Sequence, residues 1–147
     1  MSSSSFADAG GPVAPVATLL TRSFEVLGSG CPRAHAEMAR RLGASTVRLS
    51  VGDEVFDVHV ERGAPRVRPP DGTPTVSVCT TRAAVQAVLA GRRRLADAVR
   101  ADEVRVEGRL PDLVALLEAL EAFVHGAVRC DKIARLYDDF QREGAAR

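Results

Sequence analysis

Apolar residues recur along this chain in two rhythms, one of three to four residues and one of two, and the switches between them mark out its elements. Val16, Leu19, Leu20, Phe24 and Leu27 keep helical spacing and predict a helix that stops at Gly28, with residues 28–32 as a break. Residues 34–42 predict a second, short helix stopped by Gly43, with a thin apolar face of Ala36, Met38, Ala39 and Leu42. The period then drops to two. Val47, Leu49 and Val51 alternate with Thr46, Arg48 and Ser50, Gly52-Asp53 supplies a turn, and Phe56, Val58 and Val60 alternate with Asp57, His59 and Glu61. That is a hairpin with one face buried and one wet. Residues 66–68 read as a brief third strand before the loop Pro69-Pro70-Asp71-Gly72, and residues 75–79 as a fourth.

A helix follows from the Thr80-Thr81 cap to Gly91, with Val85, Val88 and Leu89 on one side. After the basic turn Arg92-Arg93-Arg94, Leu95, Ala98 and Val99 mark a short helical piece. Residues 103–108 then alternate again, with Val104 and Val106 inward. Pro111 opens a strongly apolar helix in which Leu113, Leu116, Leu117, Leu120 and Val124 hold one stripe and Asp112, Glu118 and Glu121 the wet side. Leu110 and Val114 widen that stripe beyond what one packing seam uses. A last amphipathic segment, 131–142, carries Ile133, Leu136, Tyr137 and Phe140. Strands grouped mid-chain with helices at both ends predict an α+β fold: about five strands, mostly antiparallel, with helices layered on one face.

The 147 residues suit one domain. Residues 1–15, rich in Ser, Gly, Ala and Pro, are read as a disordered lead-in, 16–128 as the domain, and 129–147 as a C-terminal amphipathic helix serving as lid, interface or packed helix. A net charge of +1 gives no electrostatic footprint for nucleic acid and at most transient membrane contact, and one Tyr with no Trp offers few stacking platforms. Three cysteines without CxxC spacing, no secretory signal and no long apolar run point to a cytoplasmic protein with free thiols. Lys132 is the single Lys among 20 basic residues, a skew toward Arg more often bacterial than eukaryotic.

Catalytic and metal chemistry find little support. His35, His59 and His125 fall in three different elements, and His59 shares the outward rhythm of Asp57. Cys31 and His35 are one helical turn apart, but two ligands do not hold a structural zinc. Cys79 has no base beside it, and Gly28-Ser29-Gly30 lacks the strand and the Lys-Ser/Thr of a phosphate loop. No catalytic residue, metal or cofactor is expected. Arg92-Arg93-Arg94 is read first as a solvated charge cluster.

The order strand, helix, basic turn, short helix, strand-Gly and apolar helix over residues 75–124 resembles the C-terminal half of the sterol carrier protein-2 (SCP-2) family. The residues that carry it are the Val104-Arg105-Val106-Glu107-Gly108-Arg109 strand and turn, the Leu89-Ala90-Gly91 helix end and the Gly91-Arg92 step, with residues 55–60 matching the family's second strand. The resemblance spans roughly 42–128 and the first helix more loosely. It implies an apolar tunnel between the sheet and the last helix, and hence a non-catalytic carrier of a fatty acyl, sterol-like or polyketide-like molecule. Two alternatives stay open: a small cyclase- or isomerase-type enzyme using the same cavity, and an accessory or dimerising module that presents a lipid-like intermediate to partner enzymes. A homodimer is compatible with each. Inward period and the implied tunnel together single out Phe56, Val58, Val85, Leu89, Val104, Val106, Leu113, Leu117, Leu120 and Phe123 as ligand-binding residues. Each position also suits an ordinary filled core.

Overall fold

The computed structural model describes residues 15–145, without the side chains of Leu89 and residues 143–145. Apart from Pro15, the expected lead-in lies outside the described residues. Eleven elements follow one another: α1 Val16–Gly30, α2 Pro32–Leu42, β1 Val47–Val51, β2 Glu54–Glu61, β3 Ala64–Arg68, β4 Val76–Thr80, α3 Arg82–Leu89, α4 Leu95–Arg100, β5 Arg105–Gly108, α5 Leu110–Ala127 and α6 Asp131–Ala145. The five strands form one sheet in the order β3-β2-β1-β4-β5. Only the β1–β4 pair is parallel, so the sheet is mixed and mostly antiparallel.

Register sorts the side chains. Leu49 lies opposite Phe56 on one side and Val78 on the other, Val78 opposite Val106, and Val58 opposite Val67. This valine-rich inner face meets the helices, in one cluster with Val16, Phe24, Leu27, Met38 and Phe123. The outer face carries Arg48, Asp57, His59, Ser77, Cys79 and Arg105. Strand alternation predicts that Asp57 is wet; it is instead fully buried. Arg48 straddles it with Nε 2.9 Å from Oδ1 and Nη2 3.2 Å from Oδ2, and the Asp71 N–H donates to Oδ2 at 3.0 Å. The Pro69-Pro70-Asp71-Gly72 loop is thus drawn over the outer face, and Arg48 also donates to the Gly72 carbonyl.

Two helix ends depart from the local pattern. Helix α1 runs two residues past Gly28, because its glycines serve packing and do not end the helix. A β-carbon on Gly28 would lie 3.2 Å from the His35 ring, and one on Gly30 3.2 Å from Cys130 Sγ. At the other end Pro15 supplies no side-chain cap, and the carboxylate of Glu54 accepts from the N–H groups of Val16 and Ala17 at 2.8 and 3.1 Å. A negative charge there satisfies orphan donors and meets the positive end of the helix dipole.

Helix α6 packs on α1 and α3. Ile133 and Phe140 are buried, and Tyr137 hydrogen-bonds Ser23, which is itself fully buried and bonded to the Leu19 carbonyl. Burial pushes the Tyr137 phenol up to about 12, against a smaller opposing effect of the Ser23 hydrogen bond. Arg82 lies 4.3 Å over the Phe140 ring, and between α3 and α6 the Gln86 side chain donates to the Phe140 carbonyl and the Gln141 side chain to the Gln86 carbonyl.

Burial alone would raise the Asp57 carboxyl. The Arg48 and Asp71 hydrogen bonds, with the charges of Arg48 and Arg68, outweigh it and hold the group below its ordinary 3.8. A carboxylate depressed on folding stabilises fully above its unfolded value and loses that effect as pH falls through the folded one. Asp57→Asn should therefore cost about 2–3 kcal/mol at pH 7, less than for a wholly buried pair because Arg48 keeps some solvent. The difference from wild type should shrink toward strong acid. Urea unfolding at several pH values checks both, and a pH-independent difference would refute the assignment.

Candidate functional site

The elements enclose a cavity of about 410 Å³ between the inner face of the sheet and the helices. The sheet side is formed by Val47 and Leu49 of β1, Val58 of β2, Val78 of β4, and Val104 and Val106 at β5. Opposite them stand Leu113, Leu116, Leu117, Ala119, Leu120 and Phe123 of α5. Leu20 and Phe24 of α1 with Met38 and Leu42 of α2 close one end, where the Phe24 and Phe123 rings meet edge to face at 6.1 Å. Leu95 and Val99 of α4 form the other side. Every one of these wall residues is aliphatic, aromatic or thioether. The wall therefore holds no titratable side chain to move a proton and no nucleophile; it can exclude water and take hydrocarbon.

Two wall residues are also surface residues. Leu117 is 53% and Val99 40% exposed, so the cavity opens between α4 and α5. The arginine turn leads straight into α4. Arg93 is held by a two-point pair with Glu103, at 2.9 and 3.0 Å, and Arg92 and Arg94 flank it.

Of the residues the sequence singles out, Val58, Val104, Val106, Leu113, Leu117, Leu120 and Phe123 are brought together on this wall. Phe56 is buried in the core and Val85 packs against the core, both off the wall. Leu89 lies outside the described side chains. No described side chain of α6 reaches the cavity. Sequence reasoning missed the contributions of α1, α2, β1, β4 and α4. Val47 and Leu49 carry the right alternation, and Leu20 and Phe24 the right helical spacing. Periodicity tells which face is buried and not which faces converge.

Several solved structures share this geometry. A UbiJ-SCP2 ubiquinone synthesis protein superposes with a TM-score of 0.52 over 74% of this chain and 95% of its own, at 20% identity. The sterol carrier protein domain 2 of Helicoverpa armigera gives 0.53 over 78% and 96%, at 10% identity. Sterol carrier protein 2 like 2 of Aedes aegypti gives 0.50 over 70% and 94%, at 17% identity.

The chain has the SCP-2 fold.

No family model matches it, and no curated protein matches it in sequence. The five-stranded, mostly antiparallel sheet expected from the sequence is that of this SCP-2 fold. Among the described residues no helix is long and apolar enough to cross a membrane, and no three His, Cys, Asp or Glu gather as a metal site. His35, where the sequence offered a thiol neighbour in Cys31, instead packs its ring on Gly28. Burial first, and the Arg66 charge second, hold it below its ordinary 6.5.

Leu120 faces the cavity from the middle of α5, so Leu120→Trp should fill empty volume. We expect unfolding free energy within about 1 kcal/mol of wild type, where overpacking a filled core typically costs about 1–3 kcal/mol. Thermal and urea melts decide; a clear loss of stability would show that the volume is not available.

Proposed function

We propose that this protein is a non-catalytic carrier that holds an apolar molecule, an acyl chain or a fused-ring hydrocarbon, in the cavity between α5 and the sheet. The single observation that carries the reading is the wall: it is apolar throughout and it reaches the surface at Leu117 and Val99. A volume of about 410 Å³ falls in the ordinary range of small-molecule sites, ~300–1,000 Å³. Hydrocarbon that displaces water from this wall gains about 0.8 kcal/mol per buried CH₂.

The ligand contacts on this reading are Val58, Val104, Val106, Leu113, Leu117, Leu120 and Phe123, with Phe56 and Val85 supporting the wall from behind. The two named sterol carriers and the ubiquinone synthesis protein supply the same fold, and a greasy cargo is in keeping with their names. An enzyme using this cavity would need a proton donor or acceptor on the wall, and the lining does not favour one. Free thiols at Cys31, Cys79 and Cys130 support a reducing, cytoplasmic setting.

Native mass spectrometry of gently purified protein and titration of the delipidated chain with a fluorescent fatty acid test the reading together. The expected result is one probe per chain, displaced by unlabelled hydrocarbon ligands, with affinity at least tenfold weaker in Leu120→Trp. Failure of acyl and sterol-like probes alike to bind, with no co-purifying mass, would reject it.

A further inference from the structure

Helix α5 carries aliphatic side chains on three of its faces, interrupted by Asp112, Glu118, Glu121 and His125. Ala119, Ala122, Phe123 and Gly126 enter the core, and a flank beginning at Leu113 lines the cavity. The third face looks outward: Leu110 is 72%, Val114 45%, Leu117 53%, Val124 47% and Val128, just past the helix end, 77% exposed. With Glu121 these positions advance by four, three, four, three and four residues, so they form one stripe about 27 Å long at 1.5 Å per residue. A row of large aliphatics in water on a small domain marks an interaction surface.

The stripe itself identifies its occupant. Positions 110 and 128 lie equally far from Ala119 in the chain, as do 114 and 124, and 117 and 121. A two-fold axis level with Ala119 therefore sets Leu110 against a second copy's Val128, Val114 against its Val124 and Leu117 against its Glu121. This is the self-matching that an isologous contact requires. We infer that this chain forms a homodimer through antiparallel pairing of α5 across that axis.

Charge agrees with the pairing. The axis keeps each flank of the stripe on the same side in both copies. On one flank Arg41, which pairs with Glu118 at 3.4 Å and with Glu37 at 2.6 Å, comes beside the second copy's Glu121, the one carboxylate in the stripe. Antiparallel helices also set opposite dipole ends together. On the other flank lie the cavity mouths. Leu117 belongs both to the stripe and to the wall, so the second copy's α5, with the aliphatic stem of its Glu121 set against Leu117, covers the opening between α4 and α5. The site is open to water in one chain and closed by the other.

Val114 and Val124 are absent from the cavity wall, so they test the contact without touching the site. The mass of the full chain in solution should be twice 15.6 kDa by sedimentation or light scattering. Val114→Glu and Val124→Arg should each give monomers with unchanged circular dichroism. The double variant Val114→Glu/Val124→Arg should dimerise again, because each new Glu meets the other copy's new Arg, and mixing the two single variants should give the mixed dimer. A monomeric wild type overturns the inference. So does a folded double variant that stays monomeric, or a wild-type monomer whose outer face instead binds phosphatidylcholine–phosphatidylglycerol vesicles. Mass is read without any ligand, so this result stands apart from the carrier reading. Closure of the mouth does rest on that reading, and predicts that a bound fluorescent fatty acid leaves the dimer several-fold more slowly than it leaves Val114→Glu.

Discussion

A β-carbon on residue 126 would lie 2.5 Å from Leu27 Cδ1 and 2.6 Å from Ala34 Cβ, so α5 approaches α1 and α2 as closely as glycine alone permits. That approach sets the geometry of everything α5 covers. Along the same contact, Ala119 and Ala122 keep the C-terminal half tight against α2, and Arg41 reaches Glu118 near the far end of α2. Beyond that point α2 has ended, and the N-terminal half of α5 overhangs the sheet on Leu113, Leu116, Leu117 and Leu120, the side chains that face the void. One helix is thus clamped at one end by small residues and propped off the sheet at the other by large ones. Well-packed interiors leave few volumes of this size. Here the void follows from where α2 stops and where the small residues of α5 begin.

The second constraint lies on the opposite face of the sheet. A one-residue slip between β1 and β2 would turn Asp57 toward the cavity and Val58 out to solvent. Arg48 and Asp57 are cross-strand partners in the observed register, and the loop amide at Asp71 completes the carboxylate's hydrogen bonds. Fixing Asp57 outward fixes Val47, Leu49 and Val58 inward, so a buried ion pair on one face holds the apolar wall on the other. Removing a partner from such a pair is strongly unfavourable, whereas replacing the whole pair with hydrocarbon need not be. Its part in register is therefore easier to justify than any gain in stability.

How far the chain could be read before its structure depended on the range of each signal. Period two and period 3.6 are local, and they place all five strands and the helices that follow them, with the inward set Val58, Val104, Val106, Leu113 and Leu120. What they leave out is tertiary. The cap of α1 comes from Glu54, 38 residues away from Val16, and no local motif announces it. Gly28 and Gly30 look like a helix end because glycine ends helices more often than it admits a neighbouring ring or thiol. Asp57 carries the signature of a wet strand face and is dry because a loop 14 residues later folds onto it. Phe56 has the same inward alternation as Val58 and still misses the wall, since being buried and facing the cavity are different conditions.

A helix with large aliphatics on several faces is ordinarily found where each of those faces has a neighbour. In a chain of 147 residues α5 cannot be surrounded: the core takes one face, the cavity a second, and the third is left to water. The last two exposures share Leu117, and they present one physical problem, apolar surface that the other described residues leave uncovered. On the readings proposed above, bound hydrocarbon would cover the inner part and a second copy of α5 the outer. Polar substitutions along Leu110, Val114, Val124 and Val128 would remove the outer exposure without disturbing the packing around Gly126, so the fold does not require those aliphatics. Their presence on a helix that borders the cavity mouth ties the surface of this protein to the content of its interior.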